Sequence, residues 1–144
     1  MTEFPDDRSI EHLALRALDC SLPKPEWTHA AHFALALYLL RLRPELAEPE
    51  AMRGVIMRLN EAHGTPNTDS EGYHHTITIA SLRAAESVLG RHDADASLAD
   101  VLADLLESPF SKSGWILEFW SRETLFGLTA RRGWVPPDLQ PLPF

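Results

Sequence analysis

Apolar residues recur along this chain at helical rather than strand spacing. Over residues 6–20, Ile10, Leu13, Ala14, Ala17 and Leu18 fall on one face, and Asp6 and Asp7 stand at the positive amino end. "SLPKP" breaks the pattern, and Pro25 suits the first turn of the next element, where its missing N–H would be unpaired anyway. The second segment, residues 25–42, is apolar nearly all round from Trp27 through Phe33 to Leu40, which predicts a central helix. A third runs over 49–62 through Met52, Val55, Ile56 and Leu59, with Gly64 as its expected stop. The polar stretch "GTPNTDSEG" leads into a fourth over 70–89, with Asp69 or Ser70 as the expected cap and Gly90 at its end. A fifth covers 97–107, and "SPFSKSGWILEFWSRETLFG" reads as one or two short helices. No pair of alternating runs flanks a hairpin turn.

The prolines of "RRGWVPPDLQPLPF" deny that segment regular structure. Its Trp134, Leu139, Leu142 and Phe144 predict a tail held on the body. The expected fold is therefore all-α: one helical domain over 1–144, a bundle of five to six helices with an irregular Pro-rich C-terminal tail.

Composition narrows the function. The formal charge of -8 over 144 residues and the dispersed arginines oppose an electrostatic nucleic-acid interface. Cys20 is the only cysteine, so neither an intramolecular disulfide nor a thiolate zinc cage can form, and a reducing, cytoplasmic setting of bacterial type is expected. The acidic start "MTEFPDDRSIEHL" lacks the basic-then-apolar layout of a secretory signal. The apolar run "FALALYLL" falls far short of the ~20 residues that span a bilayer. A small molecule is the expected partner, with neither nucleic acid nor membrane involved.

The histidines carry the candidate chemistry. Consecutive helices with short connections usually run antiparallel. The start of helix two, the end of helix three and the start of helix four then share one end of the bundle. Those places hold His29 and His32, then Asn60 and His63, then His74 and His75. His12 and His92 fall elsewhere. Positions 29 and 32 lie about 60° apart around a helix, so both rings point into one sector. If the fourth helix covers 70–89, His74 shares a face with Ile77, Thr78 and Ser81, and His75 sits about 100° away on a flank.

Three imidazoles, His29, His32 and His74, would form an open mononuclear site for a divalent transition metal such as Zn, Ni, Fe or Mn. His75 and Glu71 are then the candidate catalytic groups for proton transfer, and Trp27, Tyr73, Asn60 and His63 the candidate pocket. Metal-dependent hydrolase, lyase and oxygenase chemistry are all open. Glu26 and Glu71 stand three residues before His29 and His74, the E-x-x-H spacing of di-metal bundles, but no convincing inward Glu on the other helices completes that set. The alternative is a non-catalytic module that binds a small anion or merely organises packing, with His63 favouring a negative helix end and Asn60 serving as a cap.

The elements "EWTHAAHFALALYLL" and "GYHHTIT", with the closing "RRGWVPPDLQPLP", resemble a family of small bacterial helical proteins carrying W-T-H-x-x-H and G-Y-H-x-T-x-T elements. The resemblance spans most of the chain and implies kinship, with no established activity attached. In that pattern a Glu follows G-Y-H; here the position is His75.

Overall fold

The computed structural model describes residues 3–112 and 114–144. Among these residues there is no strand, and seven α-helices follow one another: α1 (Asp7–Leu18), α2 (His29–Leu42), α3 (Pro49–Ala62), α4 (His75–Leu89), α5 (Leu98–Glu107), α6 (Arg122–Leu125) and α7 (Leu128–Arg132). Short 3₁₀ turns at Lys24–Glu26, Pro44–Leu46, Pro109–Ser111 and Trp115–Glu118 join them. The all-α bundle expected from the periodicity is present, with α6 inside the segment expected to hold short helices and only α7 beyond the five to six anticipated. No helix among the described residues is long and apolar enough to cross a membrane.

α2 is the central element, packed against α1, α4 and α5. Its all-round apolarity is explained by that position: Ala31 and every residue from Phe33 to Leu39 are buried. Its entry is fixed by Thr28, whose hydroxyl accepts the Ala31 N–H at 3.2 Å. α1 and α5 present one apolar stripe each to this centre, Ile10, Leu13 and Ala17 from the first and Leu98, Val101, Leu102 and Leu105 from the second.

Two features differ from the sequence expectation. The fourth helix begins at His75 rather than near residue 70, and neither Asp69 nor Ser70 caps it. Residues 63–74 form a tethered loop instead. Gly64 and Gly72 take φ of 77° and 82°, Asn60 donates to Asn67 Oδ1 at 3.0 Å, and the same oxygen accepts the Tyr73 N–H at 3.1 Å. Asn67 in turn donates to the Met57 carbonyl, so a short chain of amides lays the loop along α3.

The tail also packs differently in detail. α7 reaches Arg132, so part of the expected irregular segment is helical. Beyond it, Trp134 meets Trp120 edge-on and lies beneath the Arg83 guanidinium, 4.2 Å from the ring centre. Asp138 accepts from the Ser121 N–H and hydroxyl and from the Thr124 hydroxyl, all within 2.8 Å. Leu139 and Phe144, expected as anchors, keep 56% and 40% of their surfaces exposed. A carboxylate clasp, two tryptophans packed edge-on, Leu142 against the core and an edge contact of Phe144 with Phe110 hold the tail.

Candidate functional site

The start of α2, the end of α3 and the residues entering α4 line a half-open cavity of about 730 Å³. This is the convergence that the connectivity predicts. Four of the five expected histidines line it: His29, His32, His63 and His74. So do Trp27, Asn60 and Tyr73. Deeper along the helices the wall becomes apolar, with Phe33, Leu35 and Ala36 from α2, Met52 and Ile56 from α3, and Ile77 and Leu82 from α4. Trp115 and Ile116, which the sequence reading did not assign to the pocket, close another side. Only their position in the fold reveals them, because they lie in a 3₁₀ turn far along the chain.

Each cavity histidine is oriented by a backbone carbonyl. His29 Nε2–H donates to Phe110 O at 3.1 Å, His32 Nδ1–H to Thr28 O at 2.7 Å, and His63 Nε2–H to Leu22 O at 2.7 Å. A carbonyl only accepts, so the bonded nitrogen carries the proton and the other nitrogen of the neutral ring is a lone pair. His29 Nδ1, His32 Nε2 and His63 Nδ1 have no hydrogen-bond partner among the described residues. His32 also stacks on Trp27, with ring centres 3.7 Å apart. It is accessible, but to the cavity: the protein around it pushes its pKa down to about 4, against the Thr28 bond, with His29 adding repulsion.

His74 is used differently. Its backbone is extended and its Nδ1 accepts the Ile77 N–H at 3.2 Å, while Nε2–H donates to Leu125 O at 2.7 Å. Both nitrogens are committed, so His74 caps α4 and has no lone pair to offer a metal in this arrangement. Among the described residues, no three His, Cys, Asp or Glu side chains are gathered as a metal site.

His75 and Glu71, the expected proton-transfer groups, are not among the residues lining the cavity. Glu71 is exposed in the tethered loop, where its carbonyl accepts the Thr68 N–H. His75 is neither solvated nor on a dispensable flank: it is 5% exposed and shares a 2.7 Å hydrogen bond with the Tyr73 hydroxyl. Burial lowers the His75 pKa, nearby Arg53 lowers it further, and Glu50 opposes them. Burial likewise raises the Tyr73 phenol to about 12, so both groups are neutral near pH 7. Arg53 covers the Tyr73 ring at 5.3 Å, pairs with Glu50 and reaches the Arg132 carbonyl. The pair of adjacent histidines thus splits: one faces the cavity, the other braces the wall behind Tyr73.

Comparison with protein-family models, curated proteins and solved structures finds no match to this chain.

Proposed function

We propose that the protein binds a small organic molecule in the cavity between α2, α3 and α4. The carrying observation is the wall itself: about 730 Å³ of mainly apolar and aromatic surface, interrupted by three histidines with unpartnered ring nitrogens. Ligand sites have this size, ~300–1,000 Å³, and this pattern of few polar groups on an apolar wall. The lone Cys20 supports a reducing, cytoplasmic setting.

A bound metal is the second reading. His29 and His32 favour it, since each anchors one nitrogen on a carbonyl and leaves the other open, as ligating histidines do. His74 does not fit as the third ligand while it caps Ile77. A metal there would need another donor, and no catalytic step is derived from it. The anion reading is weaker, because His32, the most open of these rings and neutral with its pKa near 4, turns a lone pair toward a negative charge.

Two measurements test these readings. A Ser81→Trp substitution places an indole in the cavity, because Ser81 lines it from a half-buried position. Ligands found by thermal shift against a small-molecule library should lose binding in this variant, whereas binding unaffected by the filled cavity would refute the first reading. Elemental analysis of untagged protein addresses the second: stoichiometric metal that disappears in His29→Ala would establish it, and metal-free protein would remove it.

A further inference from the structure

The hydrogen-bonding sense of the cavity restricts what it accepts. The tautomers of His29, His32 and His63 are set by their carbonyl partners, so what they turn toward a ligand is an acceptor and not a donor. Among the described residues the wall contains no Asp or Glu. Among those residues its one Lys or Arg is Lys24, exposed in the 3₁₀ turn Lys24–Glu26. A ligand cation would therefore enter without a counter-charge, and an anion would meet the lone pairs of these rings, with the Thr65 and Ser81 hydroxyls, the Asn60 amide and Lys24 to donate to it. Phe33, Ile56, Ile77 and Leu82 supply an apolar bed for the rest of the molecule, and Trp27 and Trp115 add flat aromatic surface.

We infer that the ligand is an uncharged alcohol or phenol, whose hydroxyl donates to the histidine acceptors while its apolar body lies on the aliphatic and aromatic wall. This rests on the cavity being a ligand site, as proposed above. His32 is the principal acceptor, because it is the most open of the three rings and its Nε2 is without a partner among the described residues.

A matched set of probes tests the inference by calorimetry at neutral pH: a naphthol, its methyl ether, the naphthoate and the naphthylmethylammonium ion. The naphthol should bind about three- to tenfold more tightly than the ether, the factor one hydrogen bond supplies. It should also bind more tightly than either ion. His32→Phe should reduce the naphthol to the affinity of the ether and leave the ether unchanged, and His32→Gln, which restores an acceptor, should recover part of the difference. Ether and naphthol binding equally, or the naphthoate binding tightest through Lys24, would overturn the inference and leave the cavity reading standing. Binding of none of the four, with the protein folded, would overturn both.

Discussion

His74 joins Leu125 across 51 residues of sequence, its Nε2–H donating to the Leu125 carbonyl at 2.7 Å. The same ring accepts the Ile77 N–H and so starts α4. Replacing it with Ala removes a cap, worth ~1 kcal/mol, and a buried hydrogen bond worth about as much. His74→Ala should therefore lose about 2 kcal/mol in urea denaturation, and His74→Asn, which can still cap, should lose about half of that. Equal losses for the two variants would mean that the cap contributes nothing.

Acid should destabilise the protein early. Burial lowers the pKa of His74 and His75, and the protein around the cavity-facing ring of His32 lowers it from 6.5 to about 4. The unfolded chain takes up these protons near pH 6.5, where the folded protein still refuses them. The unfolded state thus binds more protons between about pH 6.5 and 4, and stability falls with acidification through that window. Melting temperature should be level above neutrality and drop below about pH 6.5, ahead of the carboxylate range. A melting temperature that rises on acidification to pH ~5 would contradict this assignment of neutral imidazoles.

Cys20 ends the turn after α1 with φ of 63°, a left-handed conformation that an L side chain adopts at a cost. The Ser21 and Leu22 N–H groups bond back to the Arg16 carbonyl there, so the geometry is built into the helix end. Cys20→Gly should stabilise the protein by about 1 kcal/mol, read as a shift in the urea midpoint at unchanged slope.

Gly64 and Gly72 separate two costs. Both have positive φ, but a Cβ on Gly64 meets nothing within 4 Å, whereas on Gly72 it would sit 2.3 Å from the Pro66 carbonyl oxygen and 2.8 Å from Asn67 Oδ1. Gly64→Ala should lose only the conformational ~1–2 kcal/mol. Gly72→Ala should lose clearly more, since it also displaces the oxygen that receives Asn60 and Tyr73. Equal losses in denaturation would show that the loop yields freely.

Much of this was legible in the residues. The apolar circumference of α2 announced a central helix, and short connections placed His29, His32, His63 and His74 at one cavity. Helical phase was misleading for His74 and His75 because it assumed helix from residue 70. The real start is set by Gly72 and by the amide chain from Asn60 to Tyr73, which periodicity does not encode. With His74 outside the helix, its ring turns back to cap, and His75 is buried against Tyr73. Trp115 and Ile116 were invisible as cavity residues because only tertiary packing brings their turn to α2. The Asp138 clasp was equally hidden, since nothing local marks an acceptor for Ser121 and Thr124.

Alongside the local bonds at the entry to α4, several come from far down the chain. Besides Leu125 on His74, the Thr76 hydroxyl donates to Gly133 O and accepts the Val135 N–H, and Arg131 reaches the Tyr73 carbonyl. Contacts of such sequence separation close after local helices have formed. Residues 125–135, none of which lines the cavity, thus seat the helix that carries Ile77, Thr78, Ser81 and Leu82 into its wall.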